Sequence, residues 1–304
     1  MHVTACIVGY RNNDDILRCV EALMGSTHSD LSIMICENGG ESFQRALIAA
    51  LPDAHTGGGI ITVLSASNPG YGGAFNLCVA ASRNSDMWWL INPDCRPEPE
   101  ALAALVARFE QGGCDAVGGT LCLPNGKVQG YGGRFRSLTA RAESIGYGAS
   151  LDAKPDQRGI EDTMNYILGA SVLIGRRFMD TVGPMREDYF LYAEEIEWCL
   201  RGVARGMRLG FAPAAIVHHH QGSTTGSGNS ICNRPRLPVY LDERNKLHVV
   251  RDINPCLLPV ALVGSFLLIF ARYARRGAFA QTRYALQGWI AAIRNERDWS
   301  GETE

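Results

Sequence analysis

Four short apolar runs constrain this chain most, each followed by a polar or glycine-rich turn and then a segment with helical spacing. The runs are His2 to Val8, Leu31 to Cys36, Ile60 to Leu64 and Trp88 to Ile91. The helical segments are Asp14 to Leu23, Ser42 to Leu51, Ala74 to Arg83 and Pro99 to Glu110. Such alternation predicts parallel βα units, in which the turns after the strands share one rim of an open sheet. Ligands bind at that rim. The sharpest stop is Trp88-Trp89-Leu90-Ile91-Asn92-Pro93-Asp94-Cys95. Pro93 cannot occupy a central strand, so the strand ends at about Asn92 and Asp94 stands just beyond it. A carboxylate there suits a hard cation that carries phosphates, or else caps the next helix.

Composition narrows the classes. The 304 residues are 46% hydrophobic and 20% charged, with net charge −2. That is globular material for one large α/β domain or two smaller ones, with no footprint for nucleic acid. Ten cysteines are scattered through apolar segments without a CxxC pair, so reduced core residues and a cytoplasmic location are expected. The N-terminus enters a strand directly, and no signal peptide is expected. Cys256 to Ala271 is uncharged but only about 16 residues long, against the ~20 a bilayer span needs. Arg272, Arg275 and Arg276 follow. A buried, dimer-interface or membrane-surface helix is the expectation.

After Asp115 the pattern changes. Ala116 to Leu123 and Lys127 to Gly130 flank Asn125-Gly126, which predicts a hairpin. Phe135 to Asp162 has no clear period and reads as a long surface loop. Tyr166 to Ile174 reads as a strand broken at Gly169-Ala170-Ser171, and Met179 to Val182 as a short helix. Glu194 to Arg205 is a helix with Ile196, Cys199, Leu200 and Val203 on one face. Met207 to Phe211 and Ala215 to His218 read as a strand pair, and Gly222 to Gly228 as a flexible loop. Tyr240 to Ile253 and Cys256 to Ile293 are helical. The composition shift near Arg234 divides a core, 1–233 (halves at about 1–115 and 116–233), from a helical C-terminal region, 234–304.

Three motifs carry candidate chemistry. Asn68-Pro69-Gly70-Tyr71-Gly72-Gly73-Ala74-Phe75-Asn76 is a glycine-rich strand-to-helix turn, open to phosphate or simply a tight turn. It is not GxGxxG and lacks a Walker lysine, which disfavours an NAD-dependent oxidoreductase. Glu194, Glu195 and Glu197 crowd a helix start after an aromatic run. The helix dipole alone favours them, but paired carboxylates near apolar groups also keep one pKa raised for proton abstraction. His218-His219-His220 ends a strand, with His218 and His220 on one face and His219 on the other. One of them beside Asp94 would complete a metal site.

Together these pieces resemble family 2 glycosyltransferases of the GT-A fold, in the rhamnosyltransferase-like branch. The matching residues are Ile7-Val8-Gly9-Tyr10-Arg11-Asn12, Glu37-Asn38-Gly39-Gly40, the glycine-rich turn, Asn92-Pro93-Asp94, Gly169-Ala170 and Tyr192-Ala193-Glu194-Glu195-Ile196-Glu197. His218 with Ser223, and Arg244-Asn245, complete the set, from Val3 to about Arg251. The resemblance implies a Rossmann-like, mostly parallel central sheet flanked by helices, with a helical C-terminal appendage.

The resemblance also assigns roles. Tyr10, Arg11, Glu37, Asn38, Asn68, Gly70, Gly72, Gly73, Asn76, Asn92, Pro93 and Asp94 would hold the donor nucleotide, with Glu37 where the family has Asp. Asp94 and His218 would hold Mg²⁺ or Mn²⁺, with His219 and His220 as alternatives to His218. Glu195 would be the base with Glu194 beside it. Gly169, Ala170, Glu194 and Arg244 would lie along the sugar and acceptor. The implied reaction is inverting transfer of a sugar, rhamnose from dTDP-rhamnose foremost, to a glycan or lipid-linked acceptor in cell-envelope polysaccharide synthesis. A UDP-sugar donor is the alternative within the class. A non-catalytic nucleotide-sugar-binding or scaffold protein is the alternative outside it. The implied location is cytoplasmic, at the inner face of the plasma membrane, with a homodimer as a further option.

Overall fold

The computed structural model describes residues 1–51, 61–220 and 225–298. The first half follows the expected alternation: β1 (Val3–Gly9), α1 (Asn13–Met24), β2 (Leu31–Glu37), α2 (Glu41–Ala50), β3 (Ile61–Ser65), α3 (Gly70–Ala81) and β4 (Met87–Ile91). β1, β2, β3 and β4 pair in parallel. The residues of β1, β2 and β4 are nearly all buried because α1 and α3 cover opposite faces of the sheet, while β3 lies at its edge with only Ile61 buried among its described side chains. Ile60 and Ser223 lie outside the described residues.

The second half completes one sheet. β5 (Cys95–Pro97), α4 (Ala101–Glu110), β6 (Ala116–Cys122) and β7 (Val128–Gly130) come next. β6 and β7 form the expected antiparallel hairpin. Then come β8 (Gly133–Arg136), β9 (Arg141–Ser144), α5 (Gln157–Thr163), β10 (Ser171–Gly175), α6 (Arg176–Val182), α7 (Glu194–Ala204) and β11 (Leu209–His219). The sheet has nine strands in the order β3-β2-β1-β4-β10-β6-β11-β5, with β7 beside β6. β10 runs antiparallel between β4 and β6.

Three expectations are corrected. The stretch from Phe135 to Asp162 is not a loop: β8 and β9 pair as a two-stranded ribbon, and α5 follows with Asp156 capping Gly159 N. Its apolar residues are too few for a visible period, and Phe135, Ala140 and Ile160 are buried by partners distant in sequence. The strand expected from Tyr166 begins only at Ser171, because residues 166–170 cross the sheet's rim. The expected strand pair is one strand, β11, whose register shifts between Ala212 and Ile216 around Pro213. β5 went unforeseen because three residues carry no period.

The C-terminal helices are α8 (Arg236–Ile253), α9 (Leu258–Arg272) and α10 (Phe279–Ile293). They are not a loose appendage. Leu247, Val249, Val250, Ala261 and Ala292 belong to the same apolar cluster as Phe75, Trp198 and Phe211. Gly288 lets α10 pack directly on the Tyr240 carbonyl of α8. We therefore expect a single unfolding transition in urea, with far-UV circular dichroism and tryptophan fluorescence coincident. Two separated transitions would show that residues 234–298 fold apart from the sheet.

Candidate active site

The strand ends bring Asp94 and His219 together. Pro93 stops β4, and Arg96 holds the turn by donating to Pro93 O (3.0 Å) and Cys95 O (2.6 Å). β5 then pairs with the end of β11, placing His219 opposite Cys95. His219 Nε2 lies 3.2 Å from Asp94 Oδ1, and both side chains are buried. The expectation for His218 is corrected. Strand alternation turns it to the other face, where it is 43% exposed and meets Glu98 at 3.3 Å.

Hydrogen bonds set the histidine's tautomer. Tyr71 OH donates to Asn92 Oδ1 at 2.6 Å, and the Gly169 carbonyl shares that proton at 3.0 Å. With its oxygen so engaged, Asn92 turns Nδ2 toward His219 Nε2, 3.4 Å away. On the far side His219 Nδ1 meets Gln129 Oε1 at 2.7 Å, a distance that requires the proton on Nδ1. His219 Nε2 and Asp94 Oδ1 are two buried donor atoms 3.2 Å apart, both of a kind that binds a divalent cation. Ligands at ~2.1 Å in an octahedron stand about 3 Å apart, so the pair fits one edge of a Mg²⁺ or Mn²⁺ site. Cys95 Sγ is close by but donates to Ala170 O at 3.4 Å, and burial pushes its thiol pKa well up. It stays a thiol. Two protein donors leave the remaining positions to oxygen ligands.

The carboxylates at the start of α7 divide by environment. Glu197 is buried against Arg201 (2.9 Å) and is structural. Glu194 is buried, and its Oε2 has no hydrogen-bond partner among the described residues. Burial, then the charge of Glu195, pushes its pKa well above the ordinary carboxylate value. Glu195 is half-buried. Burial raises its pKa to about 7, against the pull of backbone N–H groups at the helix N-terminus, and Asp242 adds to the rise. Glu195 packs over Gly169: a methyl there would stand 3.0 Å from Glu195 Cγ. Contacts thus run without a break from Glu195 through Gly169, Tyr71 and Asn92 to His219 and Asp94.

The segment before α7 is strained. Phe190, Tyr192 and Ala193 have φ of 64°, 73° and 68°, a region that L-residues seldom adopt. Asn245 on α8 holds it by donating Nδ2 to Tyr189 O, Leu191 O and Tyr192 O at 2.8–2.9 Å. Arg244 donates to Tyr189 O (3.2 Å) and to Asn245 Oδ1 (2.9 Å) and is fully buried. The expectation that Arg244 meets the acceptor is corrected: its guanidinium is spent on this segment.

Other expected nucleotide contacts are spent within the protein too. Glu37 is fully buried, its two oxygens accepting from Arg11 N (2.8 Å) and Gly39 N (2.7 Å), so it shapes the turns after β1 and β2. Asn76 clamps Met185, donating to its carbonyl (2.9 Å) and accepting from its N–H (3.0 Å). Gly70 and Gly72 admit protein backbone: a side chain would strike Phe190 or, at 2.9 Å, Arg186 O. Asn38 is buried with Nδ2 near Gly70 O (3.5 Å), and Asn68 takes a left-handed φ of 53° at the entry to α3. Tyr10 and Arg11 stay at the rim, with the Arg11 guanidinium stacked between Tyr10 (5.1 Å) and Phe43 (5.6 Å). Reading the sequence missed Tyr71, Gln129 and Asp242. Tyr71 sat in a quoted motif whose glycines drew the attention; nothing local marks the other two.

A parallel N-terminal half continued through an antiparallel β10 in one sheet flanked by helices is the GT-A arrangement. The solved structures agree. GalNAc-T7 with UDP, GalNAc and Mn²⁺ superposes with TM-score 0.60 at 14% identity, over 81% of this chain and 51% of that one. The mannosyltransferase PcManGT of Pyrobaculum calidifontis, with GDP-Man and Mn²⁺, superposes with TM-score 0.56 at 12% identity, over 97% and 88%. The chain belongs to glycosyl transferase family 2, whose family model matches residues 4–162, over half its length. It is 25% identical over 272 residues to the uncharacterized protein y4gI of Sinorhizobium fredii, covering 84% of this chain and only 29% of that protein. It is 24% identical over 241 residues to N-acetylglucosaminyl-diphospho-decaprenol L-rhamnosyltransferase of Mycobacterium tuberculosis, covering 72% and 76%.

His219→Ala should weaken Mn²⁺-dependent binding of a nucleoside diphosphate by about 10- to 100-fold or more in titration calorimetry, while His218→Ala leaves it within about twofold. The reverse pattern would refute the assignment. Asn245→Asp keeps the shape but removes the N–H donors. It should cost about 2–4 kcal/mol in urea denaturation, as the Leu191 and Tyr192 carbonyls lose the Asn245 donor while Tyr189 O keeps Arg244.

Proposed function

We propose that this enzyme transfers a sugar from a nucleoside diphosphate to an acceptor hydroxyl with inversion at the anomeric carbon. One observation carries the reading: a half-buried carboxylate, its pKa raised to about 7, stands over Gly169 and is linked by contact to the Asp94–His219 pair. Asp94 and His219 would hold a divalent ion, which when bound neutralises charge on the leaving diphosphate. Glu195 takes the proton of the acceptor hydroxyl as its oxygen bonds to the anomeric carbon and the bond to the diphosphate breaks. Glu194 beside it has its pKa pushed well up by burial and by the charge of Glu195, so the two carboxylates are set apart by environment. Tyr10 and Arg11 offer an aromatic and cationic edge to the nucleotide.

The donor we favour is dTDP-rhamnose and the acceptor a lipid-linked glycan, in cell-envelope polysaccharide synthesis at the cytoplasmic face of the membrane. The name of the mycobacterial relative supports this choice. UDP-sugars are the second candidates, since GalNAc-T7 holds UDP on the same fold.

Transfer needs Glu195 deprotonated. The rate at limiting substrate should therefore rise about tenfold per pH unit up to about 7 and level off above it. Glu195→Gln should lower turnover of a labelled donor roughly 10²- to 10⁴-fold, with nucleotide affinity unchanged. Normal turnover by that variant would refute the base.

A further inference from the structure

Helix α9 shows two faces. Ala261, Ser265 and Ile269, four residues apart, are buried against the protein. The opposite face carries Val263 (63% exposed) and Leu267 (64%), with Val260 and Phe270 beside them. Phe279, at the start of α10, is 74% exposed. Leu138, in the turn between β8 and β9, is exposed next to Gly264 of α9, which lies against Leu138 O. The exposed face of α9 with Leu138 against it makes an apolar strip of a kind soluble proteins seldom show without a partner.

The charges around the strip say what kind of partner. No Asp or Glu occurs between Asp252 and Glu296, while Arg272, Arg275, Arg276, Arg283 and Arg294 all do. Arg275, Arg276 and Arg283 are exposed, and no ion pair is formed by these three among the described residues. Exposed apolar side chains flanked by unpaired arginines match an anionic lipid surface. The stretch Pro255–Arg276 is 22 residues, enough by length to cross a bilayer, and an 18-residue window within it has mean hydropathy 1.9. Its packing argues for lying along the surface instead. One face is covered by protein along its length: Trp289 Nε1 donates to Leu262 O (3.1 Å), and Arg272 pairs with Glu243 (3.1 Å) and Asp242 (3.4 Å).

Packing links the strip to the site. Helix α7, which carries Glu195, packs on α8, and α8 packs on α9. Arg272 at the end of α9 pairs with Asp242 of α8 at 3.4 Å. We propose that the exposed face of α9, with Leu138, Phe279 and the arginines after it, docks on an anionic bilayer. The acceptor then reaches Glu195 from that bilayer. This second step rests on the transferase reading above; the docking does not.

The test is sedimentation of the full chain with phosphatidylcholine vesicles, with and without phosphatidylglycerol. The chain should bind the anionic vesicles and release them in high salt. Val263→Asp/Leu267→Asp and, separately, Arg275→Glu/Arg276→Glu should each weaken binding by about tenfold or more. Both pairs are exposed, and unchanged melting and nucleotide affinity would confirm that the variants fold. Equal binding by wild type and variants would overturn the proposal. So would a dimer in light scattering that Val263→Asp/Leu267→Asp splits, or a wild type that stays in membranes through an alkaline carbonate wash. Transfer to a soluble acceptor, measured in parallel, keeps the two readings apart. Vesicle binding without transfer sinks the proposed function alone, and transfer without vesicle binding sinks the docking.

Discussion

The site depends on one run of directional hydrogen bonds, from Tyr71 to Asn92, from Asn92 to His219 and from His219 to Gln129. Each bond decides the orientation of the next group. The phenol fixes the Asn92 oxygen, so its amide nitrogen faces the imidazole. Gln129 Oε1 accepts from Nδ1–H, which turns Nε2 toward Asp94. The run thereby sets a ring nitrogen and a carboxylate oxygen 3.2 Å apart, a spacing that suits two ligands of one cation. The same phenol touches the Gly169 carbonyl, under Glu195. Tyr71 thus sets the spacing between the Asp94–His219 pair and Glu195.

A second constraint sits on the other side of Glu195. Three residues of unfavourable backbone within four, Phe190, Tyr192 and Ala193, are tolerated because neighbours over-determine them. Asn245 binds three of the segment's carbonyls, Tyr71 N donates to Phe190 O (2.7 Å), and Gly70 admits that same residue's backbone. The glycine-rich turn and the C-terminal helix therefore serve one purpose, which is to seat the first turn of α7. This explains why α8 is built into the core rather than tethered to it.

Much of this was legible in the chain. The four strand-helix units are local, each written in a few residues of period, and the stop at Pro93 follows from its missing N–H. Alternation along β11 already sets His218 and His219 on opposite faces; it does not say which faces Asp94, because that depends on β5 pairing across from it. Motif position also misled. Glu37, Asn76 and Arg244 stand where a ligand contact is expected, yet each spends polar atoms within the protein. Partners distant in sequence decide this: Arg11 for Glu37, Met185 for Asn76 and Tyr189 for Arg244. Gln129 lay hidden for the same reason, in a three-residue strand with no pattern of its own.

The account's central claim is that Asp94 and His219 form the protein's half of a cation site reached by a nucleoside diphosphate. Anomalous diffraction from crystals grown with Mn²⁺ and a nucleoside diphosphate tests it most directly. The account predicts one manganese peak bonded to Asp94 Oδ1 and His219 Nε2, at about 2.1–2.2 Å, with the remaining ligands from the diphosphate and water. A peak on His218, or a diphosphate bound with no metal at Asp94, would contradict it.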